Sequence, residues 1–260
     1  MKQKPKVKFI SSDKNLFYNT LRKRVDQYFA DRNISQHANG VMALKTIILL
    51  LGYIIPFIIF IALKPALIVS LGLWLLMGIS LAGIGMSVMH DANHGAYSSN
   101  ATINNWLGYT LNLLGGSVFN WKLQHNVMHH TYTNIVDMDD DIEDKGILRF
   151  SPHTKLKIVH QLQYIYAMFM YGLITIYWVL AKDFVLYRKY ISNGVNPNSR
   201  KANLLFLLRL ILLKSFYFGI MLAVPTLIFS IPLALVISGF LLMHFVGGII
   251  LTVVFQLAHT

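Results

Sequence analysis

No cysteine occurs anywhere in the 260 residues. Disulfides, CxxC redox pairs, thiolate zinc sites and iron–sulfur clusters are therefore excluded. Charge is the second shortage: only 13% of residues are charged against 55% hydrophobic, and the mean hydropathy is +0.52. A soluble globule carries roughly 25% charged residues to cover its outside, so a soluble fold is excluded as well. Acids are the scarcest class, with 11 Asp and Glu against 23 Lys and Arg and a formal net charge of +12. In so apolar a chain that excess reads as cytoplasmic loops drawn to anionic lipid, and no nucleic acid is expected as a partner. No apolar run with a small-residue cleavage site occupies the first forty residues, so no cleavable signal peptide is expected.

What is present in quantity is apolar sequence in long runs. Residues 41–63, 66–89, 204–229 and 232–256 each exceed the roughly 20 residues that cross a bilayer core. Gly78, Ser80, Ala82, Gly83 and Gly85 give the second run small faces for close helix packing. Residues 102–118 are apolar but broken by Asn104, Asn105, Asn112 and Gly115-Gly116, and 160–181 is rich in Tyr, Phe and Trp. Basic residues set the topology: ten Lys/Arg in the first fifty residues, five in 119–160 and seven in 182–214, against one at 64–65 and none at 230–232. The positive-inside rule puts 1–40, 119–160 and 182–203 in the cytoplasm, which leaves 102–118 and 160–181 as interfacial or re-entrant segments.

The expected fold is all-α. It is a multi-spanning membrane helical bundle with four crossings, interfacial or re-entrant helices, a cytoplasmic histidine cluster and both chain ends in the cytoplasm. Residues 1–40 form a basic amphipathic N-terminal segment and 41–260 the membrane domain. A basic tail at 1–12 leads into a helix from Asp13 to about Asn33, with Phe17, Leu21, Val25, Tyr28 and Phe29 opposite Lys23, Asp26 and Arg32. That helix either lies on the membrane surface or packs on the cytoplasmic body.

Ten histidines are many for such a chain, and their spacing matters more than their number. The second apolar run passes directly into His90-Asp91-Ala92-Asn93-His94. On a helix, histidines four apart share a face and can grip one metal. His125 and His129 repeat that spacing, and His130 points about 100° away, where it can reach a second metal. His259 closes the last run on the same side of the membrane. Neutral imidazoles clustered at a lipid boundary are metal ligands, and imidazole alone does not choose among Zn, Cu, Fe and Ni. Paired groups fit two metals better than one. His37, His153, His160 and His244 lack such spacing and are left as structural residues. Residues Asp137 to Asp144 gather six of the eleven acids. They outline a calcium loop, but Ile142 stands where its tight-turn glycine belongs, so that reading fails. Asp137 or its neighbours are expected to orient the second histidine group through its ring N–H groups, as Asp91 and Asn93 do for the first. Asn126 and Asn134 are placed in the same supporting set.

His90-Asp91-Ala92-Asn93-His94-Gly95 and Gln124-His125-Asn126-Val127-Met128-His129-His130-Thr131-Tyr132-Thr133-Asn134 closely resemble the first two histidine boxes of the integral-membrane fatty-acid desaturases. The variants are most similar to the acyl-lipid and front-end branch, and the resemblance covers nearly the whole chain. It implies two non-haem iron ions, with His90, His94, His125, His129, His130 and His259 among their ligands, and O2 as co-substrate. The implied reaction removes two hydrogens from adjacent methylenes of a membrane lipid or acyl thioester and leaves a cis double bond. It implies an external electron donor, ferredoxin-like or cytochrome, and a third histidine box that the sequence to Thr260 does not contain. The 260 residues are therefore expected to be an incomplete and inactive form. A fatty-acyl hydroxylase or ketolase of the same superfamily shares these boxes, and a bis-histidine haem-binding electron carrier is the alternative outside it.

Overall fold

A computed structural model describes residues 16–135, 138–140, 142, 146–153 and 155–258. Among the described residues every regular element is helical. The basic tail expected at 1–12 lies outside them. α1 (Leu16–Asp31) follows and, among the described residues, buries none of its own and leaves Phe17, Leu21 and Val25 exposed.

α2 (Gly40–Leu63) begins at Asn39, whose side chain accepts the Met42 N–H at 3.0 Å. It ends where Lys64 turns left-handed (φ 47°) and closes its N–H on the Phe60 carbonyl, with Pro65 barring continuation. α3 (Leu67–Asn93) returns across the bundle and carries a π-helical turn at Ile84–Val88 immediately before the first histidine group. The broken segment around 102–118 becomes two short helices, α4 (Ala101–Gly108) and α5 (Thr110–Leu113). Its asparagines serve as caps and staples. Asn100 accepts the Thr102 N–H at 2.8 Å, and Asn104 bonds Ser98 through both its oxygen and its amide. α6 (Val118–Lys122) then runs without a break into a π-helical turn, Leu123–His129.

α7 (Ile158–Ser192), α8 (Arg200–Ile228) and α9 (Leu233–Ala258) complete the bundle. Among the described residues five helices are long and apolar enough to cross a membrane, one more than the four crossings expected. The extra one is α7, which continues past its apolar run because Asp183, where a charge should stop it, is buried against Lys214 of α8. Its contacts reverse direction along its length. The first half runs antiparallel to α9, with Gly172 under Phe245 and Thr175 donating to the His244 carbonyl at 2.6 Å. The second half runs antiparallel to α8, with Asp183 at Lys214 and Tyr187 at the Asn203 carbonyl.

The bundle core is built on Trp74, Phe60, Met77, Val236 and Met243, and close helix approach depends on glycine. A Cβ on Gly78 would lie 2.5 Å from the Met243 carbonyl oxygen, and one on Gly248 2.7 Å from that of Tyr171. Small residues at such points allow backbones to meet. Gly248→Ala is expected to destabilise the chain by about 1–3 kcal/mol through overpacking. Gly72→Ala, with nothing within 4 Å of its Cβ, should stabilise it by up to about 1 kcal/mol through helix propensity. Thermal unfolding of the two variants in detergent checks the opposite signs.

Candidate metal centre

Five imidazoles converge where the end of α3 meets the π-helical turn after α6. His90 Nε2 lies 3.1 Å from His125 Nε2, and His130 Nε2 lies 3.3 Å from the same atom. The His94 ring centre is 4.6 Å from that of His90, 5.1 Å from His125 and 4.7 Å from His130. His129 stacks on His125 at 5.2 Å. An α-helix would have turned His130 away from His125. The π turn changes this, because its hydrogen bonds join residues five apart, and the His130 N–H closes on the His125 carbonyl. His130 therefore meets His94 and His125 inside one cluster rather than standing apart from it.

Two carboxylates set the chemistry of these rings. His90 Nδ1 lies 3.0 Å from Asp91, and His129 Nδ1 lies 3.0 Å from both oxygens of Asp139. An ionised carboxylate only accepts, so each Nδ1 carries the proton and each Nε2 presents a lone pair. His125 Nε2 can send at most one proton toward the two nitrogens beside it. Among the described residues His94 Nε2 is buried with no hydrogen-bond partner, which costs about 1–3 kcal/mol in a polypeptide alone. Burial, then the neighbouring rings of His90, His125 and His130, push the His94 imidazole down to about 4, so it is neutral at physiological pH. Nitrogens of His90, His94 and His125 lie within 4.8 Å of one another, in reach of one cation. Converging lone pairs with one orphaned nitrogen fit a borderline-soft metal ion.

The supporting residues divide. Asp91 bonds a histidine. Asn93 instead bonds the Gly108 carbonyl at 3.3 Å and the Met89 sulfur, and its own carbonyl accepts from Asn126 at 3.0 Å, which ties the two histidine groups together. Asn134, left-handed with φ 61°, gives its backbone N–H to Asp139. Asp139 is thus the carboxylate on the second group, and it is fully buried with His129. Asp137 and His259 lie outside the described residues. Trp121, which sequence reasoning passed over, stacks on His125 at 4.6 Å and edges His90 and His94 at 5.8 Å. Its position four residues before His125 was the available signal.

A cavity of about 860 Å³ opens beside the cluster. His125, Trp121, Met89 and Leu111 form its wall at one end, and Thr175, Ile174, Leu81 and His244 line the other. On α9 its lining runs from Gln256 to His244, about 18 Å of helix rise. The lining is mostly apolar, with polar residues Asn134, Asp140 and Lys189 on the loop side.

A family model for fatty acid desaturases matches residues 65–260, which contain both histidine groups and the cavity wall. The chain belongs to the fatty acid desaturase family. With five of its described helices able to span, this desaturase-family chain is an integral membrane protein. It is 36% identical over 258 residues to an sn-1 linoleoyl-lipid 6-desaturase of Synechocystis sp., covering 98% of this chain and 69% of that protein. A protein of the same description from Arthrospira platensis is 31% identical over 94% of this chain and 65% of its own length. An acyl-lipid (8-3)-desaturase of Physcomitrium patens is 29% identical over 75% of the chain and 40% of that protein. The chain thus spans about two thirds of the first two relatives. No solved structure matches it.

Proposed function

We propose that the chain carries the membrane body and the first two histidine groups of an O2-dependent acyl-lipid desaturase. The observation that carries this reading is one residue in two places: His125 belongs to the imidazole cluster and to the wall of the apolar cavity. A cavity of this size, apolar with a few polar groups, suits a single hydrophobic ligand. The relatives are named for acting on lipid-bound acyl chains, and the same substrate class is proposed here.

His90, His94, His125, His129 and His130 would hold the metal, with His259 added from the resemblance. A pair of irons bound there would supply the O2 activation that removes hydrogen from an unactivated methylene. The rest is done by the polypeptide. Asp91 and Asp139 hold the Nδ1 protons so that Nε2 lone pairs face the metal. Trp121, packed with Met89, Leu111 and Val118, keeps water from the cluster. The cavity wall fixes which methylenes lie beside His125, and position rather than acidity selects them, since no side chain deprotonates an alkane.

The proposed topology has the histidine groups and both chain ends on the cytoplasmic side, as the basic loops require. Support comes from the reversal of α7, whose two ends bond the same segment: His160 at the Gly146 carbonyl, and Lys189 at Asp140. An electron donor with acidic residues, ferredoxin-like or cytochrome, would dock on that basic face.

The test is mass-spectrometric analysis of membrane lipids after expression of the gene's whole reading frame in a host supplying a reductant. Acyl chains lighter by two hydrogens are expected. Gain of one oxygen would transfer the reading to a hydroxylase, and unchanged lipids would overturn it.

A further inference from the structure

We infer that Asp183, held by Lys214, is a positioning residue for the second histidine group. The inference rests on the metal-centre reading above. Both side chains are buried within the bundle, at 0% and 6% exposure, with Lys214 Nζ 2.6 Å from Asp183 Oδ2. Ionisable side chains within membrane segments are rare and call for a functional reason. Stability does not supply one. A buried ion pair can usually be replaced by apolar residues of similar volume without loss, whereas removing one partner is strongly destabilising. What the pair adds is direction.

Every donor of the ammonium is engaged. Lys214 Nζ also donates to the Gly115 carbonyl at 2.6 Å and the Trp178 carbonyl at 3.1 Å. The carboxylate, so fixed, is aimed at the start of α6. Asp183 Oδ2 accepts the Ser117 N–H at 3.1 Å, and Asn120 Nδ2 donates to the Asp183 carbonyl at 2.8 Å and to Oδ1 at 3.3 Å. Ser117 is the residue that caps α6. A carboxylate at that end also meets the positive pole of a helix that continues to His130. Trp121 follows Asn120 directly, and His125 comes four residues later on the same face.

The clamp therefore sets the rotation and height of the helix that delivers His125 to His90. One residue of slippage would turn each ring by about 100°. The turn that follows is π-helical and wider than the preferred form, so it needs an external anchor to hold one register. Asp183 is that anchor, and Lys214 fixes it against α7 and α8.

The test uses the purified full chain in detergent with Co(II) alone as probe, read by its visible ligand-field bands, beside thermal unfolding. The double variant Asp183→Asn/Lys214→Met removes both charges together. It is expected to unfold close to the parent temperature yet to bind Co(II) about tenfold more weakly, with shifted bands, as for other residues that orient metal ligands. Asn120→Ala, which removes only the side-chain half of the clamp, should shift the same bands with a smaller loss of affinity, about threefold. Should the double variant fail to fold, Asn120→Ala decides alone. Unshifted bands and parental affinity in the folded variants would overturn the positioning role. Co(II) binding that His90→Ala and His94→Ala leave untouched would instead overturn the metal centre, and the positioning role with it.

Discussion

Replacing His94 by leucine is expected to remove metal binding while leaving the metal-free chain as stable as before or slightly more stable. The two effects have different sources. In the metal-free chain His94 Nε2 is a buried polar atom without a partner among the described residues, and a leucine of similar bulk relieves that penalty, about 1–3 kcal/mol at most. A His94 nitrogen is also one of three, with those of His90 and His125, that lie within 4.8 Å of one another, in reach of one cation. Loss of a direct ligand should exceed the ten- to hundredfold typical of a supporting residue, so affinity is expected to fall by more than about a hundredfold. Asp91 and Asp139 cannot compensate, because each is occupied on an Nδ1 on the far side of its ring. Calorimetric titration with a divalent ion and thermal melts on the same preparation give both quantities. Unchanged affinity would show that the imidazoles cluster for packing alone. A simple core histidine would behave in the opposite way, with stability lost and metal unaffected.

The membrane class and the two histidine groups were legible in the sequence because each has a signal confined to neighbouring residues. A run such as 41–63 declares its medium by length, and HxxxH declares a shared face by spacing. The geometry inside the second group was not legible. Spacing arithmetic assumes an α-helix, and the π turn at Leu123–His129 brings His130 back to His125. The length of α7 was hidden for a related reason. Lys182-Asp183 reads as the end of an apolar segment, and only the chain from α8 supplies the Lys214 that makes Asp183 tolerable in the interior. Asp139 stood in view within the acidic run. Its place beside His129 depends on the left-handed Asn134, whose backbone N–H holds the Asp139 carboxylate, and a string of similar acids does not say which one arrives.

Narrowing the inner end of the cavity is expected to produce a chain-length cut-off rather than a graded loss of affinity. In water, each buried methylene contributes about 0.8 kcal/mol. A lipid acyl chain, however, comes from hydrocarbon as apolar as the cavity wall, so entering the protein brings little further hydrophobic gain. Selection by length then depends on fit. Ile174 lines the cavity at the level where Thr175 meets His244, and it is half-buried, with space on its cavity side. Ile174→Phe adds a ring there. Chains that stop short of it should bind as before, whereas longer ones must force a packed wall apart. Overpacking of that kind costs about 1–3 kcal/mol, a loss of about ten- to a hundredfold for long chains alone. Trp121 and Trp178 lie in the same wall, so quenching by brominated acyl lipids of increasing length reads occupancy directly, and phenylalanine adds no competing indole. A uniform loss across all lengths would place the acyl chain elsewhere. An unchanged profile would mean that the chain never reaches the His244 end, and that its double bond is positioned from the loop side, around Asn134 and Lys189.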